Sequence, residues 1–381
     1  MLVRPQCGGL KRAWVLAAVA VLLAGCDPTA GPTPTVNPSS SPVANPAATL
    51  AGDLRTHLNL LLGEQVMIVA KESVAAINHT DDYTAYTTLL ATNASDLEDL
   101  FRRAFGITTA TSLATSWSSQ NAYLVDYAIG VATHNDAKSK AAMANLTQKF
   151  VPQFAQLISD ASHLPLDPIT QLLSQQALED KAFIDDYFAK RFPTFYSDLR
   201  RAYAQASRLG DALSVEIAHR FPDKFPGDPE LRAVSVRTSA NQALQEHSYL
   251  ATMATAAAIA GRSAEGGAAS SAVAESASAV ATVFGSTLGV PASSVNDPLV
   301  TELNALLAYA AGESTAKAVL TQRFVDDFAS IARVGKAELT NHVNATIKVL
   351  DDQRSKSWTV VANDDRAAAT STLPIGDAIR G

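Results

Sequence analysis

Apolar residues fall along this chain with helical rather than alternating spacing. Leu54, Leu58, Leu61, Gln65 and Ile68 follow a 4-3-4-3 rhythm, which predicts a first helix ending near Asn78. A second helix is predicted from Asp82 to Phe105, closed by Gly106, and a third from about Ala114 to Thr133 with Trp117, Leu124 and Val131 along one side. The fourth runs from about Ala137 to Asp160, and Pro152 inside it is expected to kink it because proline removes a backbone donor. Asp167-Pro168 reads as an N-cap and a first-turn proline opening a fifth helix to about Ala189, and Pro193 opens a sixth that reaches His219. No stretch alternates Val, Ile or Thr between hairpin turns, so strands are not expected.

The pattern is then written a second time. The stretch from Leu146 to Leu157 returns as Leu320 to Ile331 with seven of twelve positions identical, and Phe150, Phe154 and Leu157 in it mark a buried helix face. Glu64 corresponds to Glu246, Gly106 to Gly289, Asn121-Ala122 to Asn304-Ala305, and Gly210-Asp211-Ala212-Leu213 to Gly376-Asp377-Ala378-Ile379. Asn296-Asp297-Pro298 supplies a helix start like that at Asp167-Pro168. Three prolines and a glycine between Phe221 and Pro229 separate the copies. The expected fold is all-α, with two tandem antiparallel up-and-down helical bundles at 48–220 and 233–381 joined by a linker at 221–232.

The start of the chain belongs to neither copy. Arg4, Lys11 and Arg12 precede an uncharged run from Ala13 to Leu23, shorter than the roughly 20 residues that span a bilayer, so residues 1–25 read as a signal peptide. Leu23-Ala24-Gly25-Cys26 resembles the bacterial lipobox, which implies that Cys26 is lipidated and becomes the mature N-terminus. Residues 26–47, with Pro28, Pro32, Pro34, Pro38, Pro42 and Pro46 among Ser, Thr and Ala, read as an extended tether. The implied location is the extracytoplasmic face of the cell membrane, with the lipid on Cys26 as the membrane partner. Losing the leader's three cations takes the formal net charge from −7 to −10, which disfavours nucleic acid as a partner. Cys7 leaves with the leader, so the mature chain has no pair of cysteines for a disulfide and must be stabilised by packing.

Motifs of common enzymes are missing: there is no P-loop, no Gly-x-Ser-x-Gly elbow and no His-Glu-x-x-His. Glu216-Ile217-Ala218-His219 has the Glu-x-x-His spacing of a di-iron helix, but it has no second copy. The remaining candidates are Glu246, His247 and His342. His247 lies on the stripe Ala243, His247, Leu250, Ala254, and His342 lies beside Leu339, Val343 and Thr346. Two imidazoles and a carboxylate inside a bundle would form a partial site for copper, zinc or haem. Against this, histidines on separate helices are more often ordinary residues that never meet, and the first copy has Gln65 where a ligand would stand.

The opening Leu61-Leu62-Gly63-Glu64-Gln65 and the closing Arg201-Ala202-Tyr203-Ala204-Gln205 to Phe221-Pro222-Asp223-Lys224-Phe225 resemble a group of uncharacterised secreted actinobacterial helical-bundle proteins, often lipoproteins. The resemblance implies histidines following the first-helix glutamate, three residues after the third-helix tryptophan, and in the fifth and sixth helices. Glu246-His247 and His342 match that pattern, whereas Gln65, Gln120 and Gln205 stand where histidine is implied. The leading expectation is a non-enzymatic binding or scaffold lipoprotein with a protein or small-ligand partner. The second is a metal- or haem-binding bundle with its site in the second copy.

Overall fold

A computed structural model describes residues 45–379, so Cys26, the leader and all but the end of the expected tether lie outside the described residues. Every regular element among them is helical. The first half contains α1 (Leu50–Asn78), α2 (Tyr83–Phe105), α3 (Ile107–Ala132), α4 (Asp136–Asn145), α5 (Val151–Ser162), α6 (Leu166–Phe188) and α7 (Phe192–Arg220). The second contains α8 (Arg232–Ile259), α9 (Ser263–Leu288), α10 (Ala292–Ala310), α11 (Ala316–Ala318), α12 (Val325–Ala332), α13 (Lys336–Ser355), α14 (Trp358–Thr370) and α15 (Leu373–Asp377).

Three local expectations are corrected. The fourth helix of each half is interrupted not by a proline kink but by a π-helical turn, at Leu146–Phe150 and at Val319–Phe324. Asp326 stands where the first half has Pro152, so proline is not the cause. A wider turn takes more residues per revolution, which keeps residues four apart closer to one line. That suits Leu146, Phe150 and Phe154, and likewise Leu320, Phe324 and Phe328, all of which are buried. The second correction is at α6, which begins at Leu166 after Pro165 without a side-chain cap, leaving Asp167 as a first-turn acid that favours the positive end of the helix. The third is at α10, which starts at Ala292 and carries Pro298 in its interior, because the apolar stripe Val295, Leu299, Leu306 extends on both sides of the proline.

Helices α1 and α8 form the centre. Each is buried nearly all round, including polar residues such as Asn59, Glu64, Gln65 and Lys71 on α1 and Asn241, Glu246, His247 and Thr252 on α8. A helix with no solvent face must be enclosed by others. α1 packs against α2, α3, α7 and α8, and α8 against α1, α9, α10, α13, α14 and α15. One hydrophobic cluster therefore runs from Leu58 to Ile379 without a break between the halves. The connector at 221–231 lies on this body, with Phe225 buried, Lys224 Nζ donating to Ala104 O at 2.7 Å and Ala51 N donating to Pro226 O at 3.3 Å.

The seam between the halves is polar, and each polar group in it is answered from the other side. Glu64 is 2% exposed and its carboxylate accepts from Asn93 Nδ2 at 2.8 Å, Tyr249 OH at 3.1 Å, and Arg366 Nε and Nη2 at 3.0 and 2.9 Å. Lys71 Nζ meets Asp365 at 2.5 Å and donates to Thr252 at 2.8 Å, while Tyr86 OH donates to Asp365 at 3.1 Å. Glu246 is paired with Arg200 at 2.9 Å, and Thr56 and Thr238 share a hydrogen bond at 2.9 Å.

Within each half the sixth-helix region closes on the first by the same contact. Asn59 Nδ2 donates to Asp211 at 3.1 Å and Asn241 Nδ2 to Asp377 at 2.8 Å. Gly210 and Gly376 lie so close to these asparagines that a Cβ would come within 2.9 Å of Asn59 and 2.3 Å of Asn241, so both positions require glycine for the helices to approach.

Arg366→Ala would leave Glu64 buried with two of its donors gone and should lower stability by on the order of 3 kcal/mol. Denaturant unfolding checks this. A lower midpoint in a single transition is expected, whereas two resolved transitions would show that the halves unfold independently.

Candidate metal centre

Of the seven histidines, only His247 and His342 are buried. His79 and His163 instead serve as left-handed helix caps, and His57, His134 and His219 are exposed. The helical register of α8 turns His247 inward between Leu244 and Leu250, and that of α13 turns His342 inward beside Leu339 and Val343. The two rings do meet a common group: His247 Nε2 lies 3.6 Å from Glu302 Oε2, and His342 Nε2 lies 3.7 Å from Glu302 Oε1. Glu302, on α10, is 3% exposed. Its carboxylate thus stands between the two imidazoles, one on each oxygen.

The outer nitrogens determine what the inner ones can do. Ser276 Oγ lies 2.8 Å from Val273 O and 2.8 Å from His247 Nδ1, so with its proton on Val273 O it accepts from the ring. His342 Nδ1 is 3.2 Å from Ala368 O, a pure acceptor, and 3.1 Å from Ser371 Oγ, whose own proton goes to Ala368 O at 2.6 Å. Both Nδ1 atoms thus face outer oxygens suited to accept an N–H, and each ring turns its Nε2 toward the carboxylate. His247 Nε2 has no hydrogen-bond partner. A buried carboxylate between two imidazoles needs positive charge beside it, supplied by protons on the rings or by a metal ion among the three groups. Burial pushes the Glu302 carboxyl up, but hydrogen bonding and charge from protonated His247 and His342 outweigh it and bring it down to about 2, a pull that a metal ion would supply in place of the ring protons.

Glu246, the carboxylate expected from the sequence, is not part of this cluster. It points to the seam, where burial raises its pKa and Arg200 lowers it, and it forms the ion pair described above. The sequence comparison missed Glu302 because it set Asn121 against Asn304. Burial supports a register one residue shorter: Leu113, Trp117, Gln120, Asn121 and Leu124 are buried on α3, and Val295, Leu299, Glu302, Leu303 and Leu306, each 182 positions later, on α10. Glu302 therefore answers to Gln120. On the fifth helix Leu173, Gln176, Ala177, Asp180 and Ile184 answer to Leu339, His342, Val343, Thr346 and Leu350 at a spacing of 166. The first-half counterparts of His247, Glu302 and His342 are then Gln65, Gln120 and Gln176, all buried amides. An acid on the apolar stripe between Leu299 and Leu306 was the signal available in the sequence.

One further group can be judged by geometry. His219, Asp228 and Glu230 are the group of three among the described residues whose ligand atoms all lie within 4.8 Å of one another. All three are exposed, and Asp228 Oδ1 is engaged by Glu230 N at 2.8 Å, so hydration competes with any ion there. The His247–Glu302–His342 set is wider, with ring-to-carboxylate distances of 3.6 and 3.7 Å, but all three residues are buried. Comparison with protein-family models, curated proteins and solved structures found no match.

A second buried acid offers a test of the interior. Glu72 is 2% exposed, Oε1 accepts from Thr87 at 2.6 Å, Oε2 has no partner, and burial pushes its pKa up to about 7. Because the folded state holds the proton more tightly than the unfolded chain, stability falls as pH rises from near 4.5 towards 7. Glu72→Gln should remove this group's share of that slope and gain on the order of 2–3 kcal/mol above pH 7, with little change at pH 4. Urea unfolding across this range measures it, and an equal effect at both ends would show that Glu72 does not titrate there.

Proposed function

We propose that this protein is a lipid-anchored, extracytoplasmic metal-binding bundle that holds one transition-metal cation through His247 Nε2, His342 Nε2 and the carboxylate of Glu302. The observation that carries this reading is the placement of the two histidines: each Nδ1 faces an outer acceptor, and both Nε2 atoms face the one buried carboxylate of Glu302. Ligating histidines are commonly oriented in this way by an acceptor behind them. Two imidazoles and a carboxylate suit Zn²⁺ or Cu²⁺ and are too soft and too few in oxygens for Ca²⁺ or Mg²⁺. Haem does not fit, because Glu302 occupies the space that a porphyrin would need between two axial imidazoles.

Closing on one ion at metal–ligand distances of roughly 2.0–2.2 Å draws the side chains inward from their present separations. The hydroxyls nearest the set, Ser276 and Ser371, lie behind the rings and are bonded to backbone carbonyls, so binding, storage or delivery of the ion is the role that the residues support. A protein partner receiving the metal belongs to the same reading.

The test is elemental analysis of the full chain after exposure to ZnCl₂ or CuCl₂ and desalting. One equivalent should be retained, and Glu302→Gln or His247→Gln should lose it. Ser276→Ala, which removes only the acceptor behind His247, should weaken affinity about 10-fold or more. Retention of one equivalent by the triad variants would place the ion elsewhere, with His219, Asp228 and Glu230 the first alternative.

The anchor rests on Cys26 and the lipobox-like residues before it. No helix among the described residues is long and apolar enough to cross a membrane. Cys26→Ser should therefore move the protein from the membrane fraction to the soluble one. Continued membrane association after a high-salt wash would refute lipid anchoring.

A further inference from the structure

The first-half counterpart of the metal centre has buried oxygens and too few protein donors. Gln120 Oε1, Gln176 Oε1 and Asp180 Oδ2 are shut off from solvent and accept no hydrogen bond. Neighbouring amide donors are already committed, Gln176 Nε2 to Asp180 Oδ1 at 2.8 Å and Gln65 Nε2 to Asn121 Oδ1 at 3.1 Å. The helices that carry these groups, α1, α3 and α6, pack on one another. Gln120 and Gln176 occupy the positions at which Glu302 and His342 approach to 3.7 Å in the second half. By that correspondence Gln120 and Gln176 stand on the facing sides of α3 and α6, with Asp180 one turn along α6 from Gln176. One unmet buried acceptor costs about 1–3 kcal/mol, so three of them on adjoining helices call for a shared positive partner.

We propose that the core of the first half is a binding site for a single hard monovalent cation, Na⁺ or K⁺, held by Gln120 Oε1, Gln176 Oε1 and Asp180 Oδ2. The donors are all oxygen, which excludes the softer ions suited to the histidines of the second half. Their one formal charge is Asp180. A monovalent ion neutralises it, whereas a divalent ion would leave uncompensated charge in a dry core. Glu179, next in sequence, is turned away and paired with Arg201 at 2.5 Å. Two other occupants compete. Burial pushes the Asp180 carboxyl up to about 7, so a proton can take the place of the ion. Trp117 Nε1, one turn before Gln120 on α3, is a donor without an acceptor, which a water would satisfy. The site stands independently of the metal centre.

The experiment is thermal unfolding of the full chain at pH 8 in NaCl, KCl or choline chloride at matched ionic strength. With a cation site, the midpoint should rise in NaCl or KCl by on the order of 2 °C per tenfold increase in salt, beyond the change in choline chloride. Asp180→Asn should abolish the difference while preserving shape. Should that variant fold poorly, Gln120→Leu provides the same comparison, and sodium NMR line broadening by the wild-type chain, relieved by K⁺, reports binding directly. Equal response to all three salts would assign the oxygens to a proton or water and overturn the proposal. So would a cation-specific response that survives in the variants.

Discussion

A carboxylate removed from water must find its hydrogen bonds in the protein, and Glu64 finds most of its own in the other half of the chain. Tyr249 and Arg366 reach it from α8 and α14, and only Asn93 comes from its own side. Moving the halves apart by a water's width would strand that charge, together with Lys71 and Asp365. Apolar contact alone would tolerate sliding, since Leu and Ala surfaces are interchangeable over short distances. The polar seam does not, and so it fixes the register of α1 against α8. The cluster around Glu302 inherits its geometry from this register, because α8 is at once the seam helix and the carrier of His247.

The two interiors illustrate how one scaffold accepts different polar fillings. In the second half imidazoles surround an acid, and in the first half amides and Asp180 occupy the corresponding positions. The surrounding apolar residues are nearly unchanged in position: Leu173 and Leu339, Ala177 and Val343, Leu124 and Leu306 all remain buried. Packing sets where the polar groups stand. Their chemistry is then free to vary, because exchanging histidine for glutamine alters ring volume modestly but changes which protons and lone pairs face inward.

Much of the helical architecture was legible from spacing alone. The ends of α1, α2 and α7 follow from Leu54 to Ile68, from Gly106 and from Pro193, because helix periodicity and terminators are local properties. His247 and His342 were visible as polar residues on apolar stripes. Glu302 was not, since Asn-Ala pairs at 121 and 304 suggested a register one residue away from the one burial adopts. The seam was equally hidden. Glu64 and Arg366 are 302 positions apart, and nothing in either neighbourhood indicates the other. The π-helical turns were misread as a proline effect because only one copy has the proline, and the cause is the four-residue spacing of Leu146, Phe150 and Phe154.

Thr56 faces Thr238, its own counterpart 182 positions later, and two of the salt links at the seam are reciprocal: Glu64 of the first half with Arg366 of the second, Glu246 of the second with Arg200 of the first. A residue meeting its own equivalent, flanked by exchanged pairs, is the signature of an isologous interface about a two-fold axis. The connector at 221–231 therefore joins two surfaces that are self-complementary without it. A shorter chain carrying a single half would be expected to pair with an identical copy through the same threonine, glutamate and arginine. Within one chain, unlike a symmetric dimer, a substitution in one core need not be repeated in the other, so the two interiors can hold different polar groups.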